Sequence, residues 1–481
     1  MTIDPGLRRL ALGSILAAFP GPVLPDRVTA LLADGLAGVT LFGTNVVDRC
    51  QVAALTAAIS AVRPQPLIAI DEEGGDVTRL WHRTGSPYPG NAALGAVDDP
   101  DLTRSVHAAI GSELAGLGIT LNLAPVADVN TEADNPIIGT RAFGSAPALV
   151  ARHTAAAVEG LQSTGVAACA KHFPGHGATR TDSHLGLPTI DAAAGVLRSR
   201  DLPPFAAAVA AGAAAVMTAH IRIPALTGAL PATFSSAVLR DLLRHEYGHR
   251  GAIVTDALEM RGAIGAAGSV GRAAVLALAA GADVLCLGAR VSTALVAEVL
   301  TEIAGAVADG RLSADRLSDA ADRTATLAAR TLAPVATDPA LGLAAARRAL
   351  RIEGTVSGFA DAVVIRLHPG HPIASGPVPW GDFGSAVPLA AADLSIADLL
   401  ERAGQRPLVL AGRRLHHTGV TRELIDSVAA RHTVAVVEMG WPASWRPAAA
   451  RAFVTTFGAG AANGQAAAEA LGLTSGLHPR S

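Results

Sequence analysis

Along the first 330 or so residues, short apolar runs alternate with amphipathic segments rich in Ala and Leu, and this rhythm limits the fold more than any other feature. The runs at residues 12–18, 38–42, 67–70, 119–123, 166–170, 215–219, 252–255 and 284–287 have the length of strands. Helical patterns lie between them, among others at 47–62, 102–117, 149–161, 236–247, 272–280 and 295–307. Eight strands, each followed by a helix, in a span of this size fit a TIM-type (β/α)8 barrel. A doubly wound open sheet has the same alternation, because periodicity alone does not show closure.

The polar residues that end these runs favour the barrel. Asp71 follows the third run, Asn122 and Asp128 close LNLAPVAD, Lys171 and His172 follow VAACA, His220 follows VMTA, and Asp256 follows AIVT. Each stands at the carboxyl end of its strand, the face on which barrel enzymes carry their chemistry. The pattern predicts an active-site mouth.

A Pro- and Asp-containing connector begins near residue 331, and further strand-like runs follow at 362–367, 407–410, 433–437 and 453–457, with helical patterns at 396–402 and 422–430. The expected organisation is therefore a barrel domain at 1–332, a linker at 333–345, and a smaller α/β layered (sandwich) domain at 346–481. Its Gly-rich stretch GAGAANGQ (458–465) reads either as a plain strand-to-helix turn or as an anion cradle at a helix start.

Composition excludes some classes of function. Half the residues are apolar, which rules out disorder as the main state. A net charge of −3 with scattered arginines leaves no basic stripe for nucleic acid. Apolar stretches of membrane-spanning length without polar interruption are absent, so no membrane partner is expected. Cys50, Cys169 and Cys286 read as small core residues in a reducing compartment. Arg8 and Arg9 before the apolar run 10–19 imitate a signal peptide, but the usual cleavage pattern is missing and the run suits a first barrel strand. The expected location is cytoplasmic, with secretion left open. Nothing in the chain speaks to its oligomeric state.

The densest chemistry lies at residues 171–188, KHFPGHGATRTDSHLGLP. Lys171 is the only lysine among 481 residues, and every other basic chain position is arginine or histidine. A compact ammonium differs from a planar guanidinium fork, so a compact charge is called for at this position. Asp182 and His184, two apart, suit a carboxylate-oriented imidazole that gives and takes a proton at neutral pH, or else a solvated loop pair. Three histidines and an aspartate also invite a metal reading. Their spacing matches no tight helical pair, however, and Lys171 beside His172 would repel a cation, so no metal and no cofactor are expected. Asp256 reads as a nucleophile, while Asp256 and Glu259 also have the spacing of a helix capping box. Asp71, Arg141, Lys171 and His172 suit the recognition of sugar hydroxyls.

KHFPGHG followed by DSHLGLP, with DEEGGDVTRL and GTRAFG upstream and VTDALEM downstream, resembles glycoside hydrolase family 3, in particular its NagZ-type β-N-acetylglucosaminidases. FPGPVLP, GVTLFGTN, YPGNAALGA and ALAAGADVLCLG stand in family order, and ALRIEG and TTFGAGAANGQ give a looser match in the second domain. The resemblance implies a retaining exo-hydrolase that removes terminal β-linked N-acetylglucosamine from peptidoglycan fragments or chitooligosaccharides. It assigns Asp256 as nucleophile, His184 as general acid/base oriented by Asp182, and Asp71, Arg141, Lys171 and His172 to the sugar; His176 shapes the loop. Similar enzymes read D-Q-E-G-G-R where this chain has Asp76 in the arginine's place, which alters the charge expected beside the sugar. Rival readings are a β-N-acetylglucosaminide phosphorylase, a β-glucosidase of the same family with Glu438 as its acid, a metal-dependent barrel hydrolase, and a non-catalytic sugar-binding protein.

Overall fold

The computed structural model describes residues 3–181, 186–367 and 388–473. The chain forms two compact units. Met1–Glu72, Pro100–Ile138 and Gly144–Thr337 make the first, and Glu73–Asp99, Gly139–Phe143 and Asp338–Ser481 make the second.

The first unit holds eight strands: β1 (Ile15–Ala17), β2 (Gly38–Leu41), β3 (Leu67–Ile70), β4 (Leu121–Asn122), β5 (Ala167–Phe173), β6 (Ala215–Thr218), β7 (Ala252–Thr255) and β8 (Leu285–Cys286). They pair in sequence order from β1 to β7, all parallel, and β8 pairs with β1. A parallel bridge between Val254 and Val284 joins β7 to β8 and closes the ring. All eight expected strands are present, and closure settles the choice between barrel and open sheet. The apolar run at 10–19 supplies β1, every residue of which is buried.

Side chains of a strand alternate between its faces. The inner core takes every second residue: Leu67 and Ala69, Ala167 and Cys169, Ala215 and Met217, Ala252 and Val254. Extending the same parity past the core pairs of β3, β5 and β7 reaches Asp71, Lys171 and Asp256. Strand geometry thus aims these three groups along the barrel axis, whereas His220 has the opposite parity.

The second unit holds a six-stranded sheet of β9 (Arg351–Gly354), β10 (Val363–Leu367), β11 (Pro388–Leu389), β12 (Leu408–Gly412), β13 (Val434–Glu438) and β14 (Ala452–Thr455), in the order β11-β10-β12-β13-β14-β9. Only β9 is antiparallel. Val409, Ala411, Ala435 and Val437 pack on one face, and Leu408, Leu410, Val434 and Val436 on the other. Central strands buried on both faces read as continuous apolar runs, which is why the sequence reveals them. The edge strand β9 is exposed at every residue and lacks that signal, and the sequence reading omits both it and the two-residue β11.

Among the described residues no single helix is long and apolar enough to cross a membrane. Cys169 and Cys286 are buried, but Cys50 is exposed, contrary to the core role expected for all three. It sits at the start of helix Arg49–Val62, whose buried stripe runs through Val52, Leu55, Thr56 and Ile59, and it falls outside that stripe.

Candidate active site

Lys171, the lone lysine, is buried, and its Nζ donates to Asp71 Oδ1 at 2.7 Å. Both side chains project from the strand ends at the mouth. Burial pushes the Cys169 thiol well up from its ordinary value; one layer below, it feels the nearby charges of Lys171, Asp71 and Asp256. Cys286 is pushed up to about 12, first by burial and then by Asp256 and Asp71, against the lowering effect of its bond with Thr40. Both buried thiols thus lie within electrostatic reach of Asp71 and of Asp256.

Asp128 organises the residues after Lys171. Its Oδ2 accepts from His172 Nδ1 at 2.7 Å, and its Oδ1 accepts the backbone N–H groups of His176 (2.6 Å) and His172 (3.3 Å). Burial alone would raise this carboxyl. The attraction of His172 and its hydrogen bond, helped by His176, outweigh burial and hold the carboxyl below its usual range. With Nδ1 engaged, the His172 ring is fixed in plane and tautomer. His176 lies with its ring 6.0 Å from that of His172 and its Nδ1 2.7 Å from Thr179 Oγ1. Burial lowers its pKa to about 4 despite the pull of Asp128, which keeps it neutral. Asn135 Nδ2 donates to the His176 carbonyl at 3.0 Å and ties down the same loop.

Asp256 follows β7, and its Oδ1 accepts the N–H of Ala257 at 2.7 Å. The capping-box alternative does not form. The next helix, Arg261–Ala267, begins after Met260, and Glu259 instead accepts the N–H of Ala289 at 2.7 Å. His220 is buried at the end of β6; its Nε2 donates to the Ala257 carbonyl at 3.1 Å, and its Nδ1 lies 2.9 Å from Thr233 Oγ1. It steadies the turn that carries Asp256. Asn122 plays the same part for β3, accepting from Glu72 N and donating to Glu72 O just beyond Asp71. The sequence marks Asp128, His220 and Asn122 as strand-end polar residues but assigns them no task, because their partners lie on neighbouring strands.

Arg141 belongs to the second unit. Its Nε and NH2 form a fork to the two oxygens of Glu73 at 2.9 and 2.8 Å, and Asn91 Nδ2 holds its carbonyl at 2.8 Å. Sequence reading misses Glu73; its only trace is an acidic pair directly after Asp71. Beside it, Asp76 accepts from Thr140 Oγ1 (2.7 Å), from the N–H of Ala459 (2.7 Å) and from Arg413 NH2 (3.4 Å). The Gly-rich turn at 458–465 does lead from strand to helix, and its backbone does bind an anion. The anion is this chain's own carboxylate.

The model of the Glycosyl hydrolase family 3 N terminal domain matches residues 24–327, more than half of the chain. The chain belongs to this family. It is 35% identical over 330 residues to beta-hexosaminidase A of Pseudoalteromonas piscicida, a match covering 63% of this chain and 55% of that relative. The chain thus spans about half the length of that protein. It is 41% identical over 260 residues to a beta-hexosaminidase of Stenotrophomonas maltophilia, covering 52% of this chain and 76% of the relative. The solved structure of a glycoside hydrolase family 3 beta-N-acetylglucosaminidase from Paenibacillus sp. str. FPU-7 superposes with a TM-score of 0.88 at 32% identity, over 97% of this chain and 96% of that one.

Asp182 and His184, expected as the acid/base pair, lie outside the described residues. Glu438, the acid of the β-glucosidase reading, is buried and bound by three backbone N–H groups: Arg414 (2.7 Å), Gly440 (2.7 Å) and Leu415 (2.8 Å). A carboxylate so engaged knits the end of β13 to its neighbours.

Proposed function

We propose that the chain is a retaining exo-β-N-acetylglucosaminidase that removes terminal β-linked N-acetylglucosamine from peptidoglycan fragments or chitooligosaccharides. The observation that carries this reading is the convergence of Asp71, Lys171 and Asp256 at the mouth of a family 3 barrel. The two beta-hexosaminidase relatives and the full-length likeness to a beta-N-acetylglucosaminidase support the choice of sugar.

In the proposed reaction Asp256 attacks the anomeric carbon while protonated His184, oriented by Asp182, gives its proton to the departing glycosidic oxygen. A covalent glycosyl-Asp256 forms as that bond breaks. Neutral His184 then takes a proton from water, whose oxygen displaces the Asp256 carboxylate and frees the sugar with its configuration retained. Asp71 and Lys171 hold hydroxyls through short charge-assisted bonds, with His172 and Arg141 as further sugar ligands. Asp128 and His220 act as positioning residues. The unpaired cysteines support a reducing, cytoplasmic setting.

Hydrolysis of matched aryl β-N-acetylglucosaminide and β-glucoside, each with His184→Ala alongside, tests the proposal. A marked preference for the N-acetyl substrate that depends on His184 is expected; a preference for the glucoside refutes it. Running the same assay with phosphate and seeking a sugar 1-phosphate separates hydrolysis from phosphorolysis.

A further inference from the structure

The end of the barrel opposite the mouth carries a second concentration of charge. Two adjoining cavities, about 470 and 380 Å³, open around the turns that enter β6 and β7 and share His249, Arg250 and Arg323. Their walls carry Arg240, Arg244, Arg250, Arg316, Arg323 and Arg330, against one aspartate, Asp319. Asp283, behind the wall, pairs with Arg244 and Arg316. A chain whose net charge is −3 thus gathers six guanidinium groups around two carboxylates.

The arginines divide by commitment. Arg316 reaches Asp283, Asp319 and the carbonyls of Leu278 and Ala282, and Arg244 reaches Asp283 and the carbonyls of His249 and Gly251. These two brace the barrel floor. Arg323 divides its donors between Asp319 and the Arg250 carbonyl. Arg330 donates through Nε to the Gly165 carbonyl, and the Arg250 side chain has no hydrogen-bond or ion-pair partner among the described residues. Arg250, Arg323 and Arg330 line the larger cavity, and no carboxylate lines it. Such a cavity focuses positive potential and offers forked donors that match an oxyanion. Its volume suits a phosphate or a small phosphate ester.

We propose that the larger cavity binds the phosphate group of a small ligand. Strand β7 runs from this turn to Asp256, so the ligand sits about 13 Å or more from the reacting sugar, counting four residues at strand rise. It is therefore a regulatory or stabilising ligand and not a reactant.

The test is calorimetric titration of the full chain with inorganic phosphate and with glucose 6-phosphate, at an ionic strength matched by sodium chloride. Saturable binding of at least one is expected, weakened about tenfold, or about 1.4 kcal/mol, by Arg250→Gln. Arg330→Gln should weaken it similarly, and neither substitution should change aryl-glycoside turnover without phosphate. Tighter binding of the ester than of phosphate would identify the ligand as an ester, and the reverse order as free phosphate. No saturable binding of either probe, or wild-type affinity in Arg250→Gln, whose exposed side chain can change without loss of the fold, overturns the proposal.

Discussion

The two charged clusters assigned to the sugar are built by opposite means. At the barrel mouth, Asp71, Lys171 and Asp256 follow the inward parity of β3, β5 and β7, so regular strands aim them. In the second unit, Arg141 sits on the short turn Gly139–Arg141 and is held by Glu73, while Thr140 beside it is held by Asp76. Rigid strands place a group through backbone geometry; loop-borne groups need partners, and a lost partner moves them. Substitutions in the first cluster should therefore abolish chemistry, and those around the second should loosen it by degrees.

The largest effect is expected at Asp256: Asp256→Asn should lower kcat/KM for an aryl β-N-acetylglucosaminide by about 10³-fold or more, with folding unchanged by circular dichroism. Asp128→Asn should follow, because it removes the charge that organises His172 and His176; an unfolding stability loss of about 3 kcal/mol is expected in denaturant titration, with kcat/KM down at least about tenfold.

Acid should act on the same loop. The folded pKa of His176 lies near 4, below the ordinary 6.5, so the folded state favours the neutral ring. Its stabilising contribution is complete above the unfolded value and fades as pH falls from about 6.5 towards 4, by at most about 3 kcal/mol. Denaturation midpoints across that window should fall less steeply for His176→Asn than for wild type. Asp128, whose carboxyl is also held low, adds a loss of the same sign at more acid pH.

Within the second unit the effects shrink. Glu438→Gln should cost about 2 kcal/mol of stability by weakening three charge-assisted bonds, yet leave turnover intact. Loss of turnover there would revive the β-glucosidase reading. Asp76→Asn should raise KM about threefold with kcat unchanged, since one hydrogen-bond network beside Arg141 loosens. An unchanged KM would show that the Gly139–Arg141 turn holds without it.

This contrast also explains what the sequence makes legible. Eight apolar runs and their polar ends locate the barrel and its mouth, because strand parity is local information. The bond from Ala459 to Asp76 spans 383 residues and the Arg141–Glu73 pair 68, and no local pattern announces either. Asp76 reads from sequence as an altered charge beside the sugar, and the structure shows it bound by Thr140, Ala459 and Arg413. Cys50 fails for a related reason: an apolar neighbourhood in sequence does not say which side of a helix meets solvent.

In the proposed mechanism Asp256 forms a covalent bond to N-acetylglucosamine. Incubation with a slow, fluorinated N-acetylglucosaminyl substrate, followed by proteolysis and mass spectrometry, tests it directly. A single peptide containing Asp256 and carrying one sugar is the predicted result; a sugar on another carboxylate, or rapid turnover through direct inversion with no adduct, would contradict it.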